Sequence, residues 1–236
     1  MNFRFLLLFI VLTGSLSFSL LGQNRITREL EPFGKIAVTG KIKVELVHSE
    51  TNQMSITVRD GSPDKVIAEV VKEELRIRLK PELGSDAEIS VRIPYNHLYG
   101  LEASAGATIS SRDVLKEKDL TFNILSVGKI ELNVEAENID ASVSQGGDLI
   151  LYGTTNTLNV NASTGGNFLG YDLESKDTYV KAGSGAQAKV IARRIIDATA
   201  NTKGYVGYKG EPVSTYVKTS FGGEIANFRD EQLREN

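Results

Sequence analysis

Glycine recurs through the second half of this chain at a spacing that no helix-bearing repeat can fill. The corner motifs Ser104-Ala105-Gly106-Ala107, Ser126-Val127-Gly128-Lys129, Gln145-Gly146-Gly147-Asp148 and Thr164-Gly165-Gly166-Asn167 come first. They continue as Gly183-Ser184-Gly185-Ala186, Thr202-Lys203-Gly204-Tyr205 and Phe221-Gly222-Gly223-Glu224. The step from Gly106 to Gly128 is 22 residues, and each later step through Gly147, Gly166, Gly185 and Gly204 to Gly223 is 19. A strand–helix–strand unit needs about 30 residues or more, so these repeats are too short for one.

Apolar residues alternate on both sides of each glycine. Leu120/Phe122/Ile124, Ile139/Ala141/Val143, Leu158/Val160/Ala162 and Ile196/Ala198/Ala200 precede it. Ile130/Leu132/Val134, Leu149/Leu151 and Val206/Tyr208 follow it. A period of two means strands with one face inward. Nineteen residues then hold two strands of about six residues and two turns, and stacked coils pair in parallel as a β-solenoid. The glycines supply positive φ and close backbone approach at the corners, Gly147 and Gly166 among them. Proline agrees, because only Pro212 falls inside the array and the other four precede it. The coil carrying Thr178/Val180/Ala182 and Ala186/Ala188/Val190 is out of phase by one position, which predicts a bulge or an altered turn.

Residues 33–103 alternate without the repeat. Val71-Lys72-Glu73-Glu74-Leu75 reads as a hairpin turn and hence as antiparallel strands, whereas Gly40-Lys41-Ile42 echoes Gly128-Lys129-Ile130 and reads as an early coil. Either arrangement caps the first coil, whose edge would otherwise recruit other strands. The charged tail Arg229–Glu235 is the candidate protector of the far end. The expected organisation is a signal peptide over 1–22 and one β-solenoid domain over 23–236, with irregular strands over 33–103 and regular coils over 104–228.

The signal peptide is read from Arg4, the apolar run Phe5 to Phe18, and small Gly22 before Gln23. The run is short for a membrane span, so no spanning segment is expected in the mature chain. Without cysteine there is no lipoprotein anchor, disulfide framework or thiol nucleophile. The expected location is the periplasm, the cell surface or the extracellular space. A formal net charge of −3 lacks the basic footprint of a nucleic-acid binder.

The segment Phe33-Gly34-Lys35-Ile36-Ala37-Val38-Thr39-Gly40, the Ile93-Pro94 step before the repeats, and the serial Gly-Gly-Asn and Gly-Lys-Ile corners carry a resemblance. From about residue 29 to 228 the chain resembles the auto-transporter adhesin head GIN domain family, exported proteins typical of Bacteroidetes. The resemblance implies a right-handed parallel β-helix similar to pectin lyases, without their catalytic residues, and a role in adhesion. A chain ending at Asn236 leaves no length for a translocator barrel, so it is not expected to act as an autotransporter by itself.

Signatures of catalysis are sparse. Asp140, Asp148, Asp172, Asp177 and Asp197 read as solvated turn or surface residues, with Asp172/Asp177 the one loose pair. His48 and His97 lack a triad-like context. The corners lack the nine-residue period of calcium-binding solenoids. No catalytic residue, metal site or cofactor is expected. The reading is an exported structural or binding module, with a carbohydrate-active β-helix protein as the alternative.

Two surfaces stand out. With Ile139, Ala141 and Val143 inward, Thr121/Asn123, Asp140/Ser142, Asn159/Asn161 and Asp197/Thr199 face outward as a polar ladder. On the other sheet Ile150/Tyr152 and Leu169/Tyr171 face outward nineteen residues apart, which predicts stacked pairs and an apolar patch. Three coverings of that patch are expected alternatives: the chain's own strands or tail, a homo-oligomer or other envelope protein, or a glycan on the tyrosine rings.

Overall fold

The nineteen-residue alternation resolves into one long strand per coil through most of the stack. The computed structural model describes residues 24–81 and 87–228. The signal segment and the charged tail lie outside the described residues. In chain order the strands are β1 (Asn24–Glu29), β2 (Lys35–Thr39), β3 (Ile42–His48), β4 (Gln53–Arg59), β5 (Val66–Val71), β6 (Glu74–Leu79), β7 (Glu88–Tyr95) and β8 (Gly100–Ser104). The regular part continues with β9 (Thr108–Ile124), β10 (Lys129–Val143), β11 (Asp148–Ala162) and β12 (Asn167–Ala182). It ends with β13 (Gln187–Ile191), β14 (Ile195–Asn201), β15 (Tyr205–Lys209), β16 (Ser214–Ser220) and β17 (Glu224–Asn227). The molecule is an all-β solenoid.

Among the regular coils, two strands and two turns hold only for the last, where β13/β14 and β15/β16 are separate. In β9 to β12 the second corner is a bend inside a continuous ladder. Lys129 to Ala136 of β10 pairs with Asp148 to Thr155 of β11, and Asn138 to Val143 with Thr157 to Ala162, at one offset of nineteen. The ladder skips only the Glu137/Asn156 rung at the bend, where Thr155 Oγ1 donates to the carbonyl of Glu137 at 3.2 Å.

The tight corners share one geometry. In Leu125–Gly128, Ser144–Gly147 and Ser163–Gly166 the N–H of the fourth residue donates to the carbonyl of the first, at 2.9, 3.0 and 2.9 Å. The two central residues have positive φ, as in Ser126 (46°) and Val127 (62°) or Gln145 (53°) and Gly146 (71°). That is the pattern of a type I′ turn. Gly128, Gly147, Gly166, Gly204 and Gly223 hold the fourth place, whereas Gly106 and Gly185 hold the third. The equal steps around Gly185 therefore conceal a long coil and a short one. Asn167 pairs with Gln187 at an offset of twenty, and Gln187 with Tyr205 at eighteen. The extra residue enters as a bulge in β12, where Ile150 pairs with Leu169 but Tyr152 pairs with Asp172. This is the expected phase break, placed upstream of the residues that signalled it.

Inside, apolar columns run along the stack. One passes through Val91, Val44, Ile109, Ile130, Leu149, Phe168, Ala188 and Val206. Each of these is buried. Among the described residues the buried polar side chains are Thr155, Ser175 and Thr178. Ser175 and Thr178 both donate to the carbonyl of Ile191, at 2.7 and 3.1 Å, which satisfies the backbone where β13 stops.

The N-terminal region is both coil and cap. β2 and β3 form a coil, pairing in parallel with β8 and β9 on one side and with β6 and β7 on the other. Antiparallel β5 then covers β6, while β4 and β1 cover β7. The β5–β6 hairpin turns at Lys72 (φ 51°) and Glu73 (φ 62°), two side-chain-bearing residues in the left-handed region. Replacing the pair with Asn-Gly, which that turn favours, is expected to raise stability by about 0.5–1 kcal/mol, read as a higher urea midpoint. The Glu73 carbonyl that accepts from Gly34 and Lys35 is kept in the variant.

Candidate functional site

The polar ladder lies on the face built by the second halves of β9 to β12 and by β14. Phe122, Ala141, Val160, Val180 and Ala198 point into the core, so the residues on either side of each point out. One outward row reads Thr121, Asp140, Asn159, Tyr179 and Asp197 in register. The row beside it reads Asn123, Ser142, Asn161 and Lys181. Together they line an open trough of about 760 Å3. Asn159 Nδ2 donates to Asp140 Oδ1 at 2.9 Å, and Asn123 Nδ2 to Glu102 Oε2 at 3.0 Å. Among the described residues no side-chain hydrogen bond engages Asn161, Lys181 or Asp197.

Sequence reasoning found every rung of this ladder except Tyr179 and Lys181, which occupy the coil shifted by the bulge. The signal was available: counting twenty rather than nineteen residues from Asn159 reaches Tyr179. Its ring faces outward in the trough, and its residue is 41% exposed.

The apolar patch is arranged otherwise than expected. Ile150 and Leu169 stack in register and are half-buried. Tyr152 and Tyr171 do not stack, because the bulge sets Tyr152 opposite Asp172. Tyr152 turns its hydroxyl to Glu131 Oε1 at 3.3 Å. Partial burial, and then the Glu131 charge, raise the pKa of that hydroxyl above its ordinary value. Tyr171 lies edge-on against Phe228, centroids 5.1 Å apart, with Lys189 and Lys209 ammonium groups 4.8 and 4.9 Å from its ring centroid. The chain itself covers this ring, since Phe228 directly follows β17.

The carboxylates do not converge. Asp177 is ion-paired with Arg194, and Asp172 stands five residues earlier on the same strand, opposite Tyr152. Asp148 accepts from Asn167 Nδ2 at 2.8 Å. Asp140 and Asp197 share a row but are three rungs apart, about 14 Å. Catalytic acid pairs of glycoside hydrolases stand roughly 5–9.5 Å apart. His48 packs edge-on against Tyr95, and His97 faces Glu117 at 3.4 Å. Among the described residues no group of three or more His, Asp or Glu side chains is placed to hold a metal ion. No helix among them is long and apolar enough to cross a membrane.

The corner glycines divide by what a side chain would meet. A Cβ at Gly128, Gly166, Gly204 or Gly223 would lie 2.2–2.4 Å from a carbonyl oxygen of the preceding coil. At Gly147 the nearest atom is the Ile124 side chain at 2.6 Å, and at Gly185 nothing lies within 4 Å. At Gly106 the nearest is Lys41 Cγ at 3.4 Å.

Solved structures share this architecture. A "putative adhesin" of Bacteroides fragilis NCTC 9343 is 18% identical, with a TM-score of 0.77 over 88% of this chain and 98% of that one. Another "putative adhesin", from Parabacteroides merdae ATCC 43184, is 19% identical, with a TM-score of 0.70 over 87% and 95%. A "putative lipid binding protein" of Parabacteroides distasonis ATCC 8503 is 17% identical, with a TM-score of 0.70 over 87% and 96%. At these identities the likeness is one of fold. No curated protein matches the chain. Residues 32–212 match the family described as "Putative auto-transporter adhesin, head GIN domain", and with that span inside one family the chain belongs to it.

Proposed function

We propose that this protein is an exported, non-catalytic binding module, acting in adhesion at the cell surface or in the periplasm, with the polar trough as its working face. The observation that carries the reading is the trough itself. It presents in-register rows of amides, hydroxyls and carboxylates, and several of these have no side-chain partner among the described residues. A surface of that kind holds an extended ligand by many modest contacts and has no pocket to enclose a reacting group. The separation of Asp140 from Asp197 argues the same way, because at about 14 Å the two acids of the trough stand beyond hydrolytic spacing. Membership in a family described by adhesion supports the surface location.

The test is retention of the purified protein, coupled to beads, on bacterial envelope and host mucosal material. Wild type should be retained. A Tyr179→Ala/Asp197→Ala double variant should lose most of the bound fraction while keeping its circular dichroism. A Glu135→Ala change, on an exposed residue outside the trough, should leave retention unaltered. Equal retention of wild type and double variant would mean that the trough is not the working face.

A further inference from the structure

Tyr179 and Tyr216 stand on the same outward row, separated by Asp197 alone. Tyr179 pairs with Asp197 in the ladder, and Asp197 with Tyr216. The residues are 41% and 61% exposed, so both present ring surface to solvent. Adjacent rungs are ~4.8 Å apart, which sets the two tyrosines ~10 Å apart along the stack. Towards the N-terminal end the row continues as Asn159, Asp140 and Thr121, all on regular rungs.

A flat ribbon of equatorially linked pyranoses turns over from each sugar to the next. Equivalent faces recur at every second sugar, a repeat close to two strand spacings, or ~10 Å. The apolar C–H face of such a sugar stacks on an aromatic ring, while its equatorial hydroxyls point sideways. Asp197, lying between the rings, offers only acceptors, and hydroxyl groups are the donors that suit it. Asp140 has one oxygen on Asn159 and the other free to accept.

We infer that this row binds a linear, neutral polysaccharide of equatorially linked pyranoses lying along the stack axis. Tyr179 and Tyr216 lie under alternate sugars, and Asp197 accepts hydroxyl hydrogen bonds between them. The identification of the ligand rests on the trough being the binding face.

Charge selects a neutral polymer over an acidic one. The ionised groups on the tyrosine row are Asp140 and Asp197, so a carboxylate on every sugar meets like charge at both. Lys181 and Lys218 stand two residues further along their strands, about 7 Å to one side, where they meet the edge of a bound chain.

The experiment is affinity electrophoresis and titration calorimetry of the full chain with cellohexaose, xylohexaose, mannohexaose and hexamannuronate, the last an acidic chain that is also equatorially linked. At least one neutral hexasaccharide should bind, and more tightly than its disaccharide. Tyr179→Ala and Tyr216→Ala should each weaken binding about tenfold or more without changing far-ultraviolet circular dichroism. Hexamannuronate should bind more weakly than the neutral chain.

Failure to bind any neutral hexasaccharide would overturn the inference, as would tighter binding of hexamannuronate. Binding that ignores the loss of both rings would do the same. Retention on envelope material that needs Tyr179 but survives enzymatic removal of glycans identifies a protein partner. That outcome defeats the glycan inference and leaves the trough as the working face. Retention indifferent to both tyrosines defeats the two readings together.

Discussion

Phe168→Ala is expected to lower the unfolding free energy by about 3–5 kcal/mol, towards the upper end of that range. The ring is fully buried and stacks between Leu149 and Ala188 in the apolar column. Ala188 is too small to reach into the space left behind. Strands locked ~4.8 Å apart by continuous ladders cannot close over it either. The cavity therefore persists, and its full cost is felt. Urea denaturation should show a lower midpoint with an unchanged slope, and hydrogen exchange should accelerate first in β11, β12 and β13. Gly170 offers an internal control, because a Cβ there would lie 2.7 Å from Phe168 Cε1. Gly170→Ala should destabilise wild type but be nearly neutral beside Phe168→Ala, a coupling of about 1 kcal/mol or more. A loss below about 1 kcal/mol for Phe168→Ala, or additive behaviour of the pair, would place the ring outside the column.

The corner glycines should separate in an order that backbone conformation alone does not give. Gly166→Ala is expected to cost about 3 kcal/mol or more, since its Cβ would sit 2.4 Å from the carbonyl oxygen of Val143 and 2.6 Å from its carbon. Both atoms are backbone and belong to the neighbouring coil, so a strand must move to make room. Gly165 has the positive φ, +71°, yet nothing lies within 4 Å of its added Cβ. Gly165→Ala should cost only about 1–2 kcal/mol, the price of one left-handed residue. Lys203 and Val127 already take that turn position with side chains, at φ 61° and 62°. Gly147→Ala should fall between the two, because the nearest obstructing atom is the Ile124 Cγ2 methyl, a side-chain atom rather than backbone of the neighbouring coil. Thermal or urea midpoints for the three variants check the ranking. A Gly165 variant less stable than the Gly166 variant would show that torsion governs the corners.

The repeat was legible because each coil must satisfy the same two demands, an inward apolar face and a corner where backbones nearly touch. Those demands leave a periodic trace whatever else varies. The order of the first coils left none, since β2 and β3 find their partners through ladder pairing and alternation is blind to which strand lies beside which. The antiparallel hairpin at Lys72-Glu73 was readable as a local turn. The bulge in β12 was detectable only as a phase error later in the chain, because Leu169, Tyr171 and Leu173 keep alternating in the sequence although Tyr171 and Asp172 both lie off the core side. That same error hid Tyr179 and Lys181 from the polar ladder and made Tyr152 and Tyr171 look stacked. Tyr216 escaped for a different reason, lying beyond the last alternating segment used to assign the outward face.

The coil made by β2 and β3 comes early in the chain yet lies between two coils that come later. Lys35 pairs with Gly100 and Lys43 with Thr108, in each case 65 residues away, while the regular coils join partners about nineteen apart. Closing the longer loop costs about 1 kcal/mol more in chain entropy. On its other side the same coil pairs with β6 and β7, where Lys35 meets Glu74 and Ile42 meets Ile89, 39 and 47 residues away. Folding should therefore start in the regular coils and run towards the N-terminal end, against the direction in which the chain is synthesised. During synthesis Lys35 to His48 must wait unpaired until β6 and β7 have been made, and it keeps one edge open to mispairing until β8 and β9 follow.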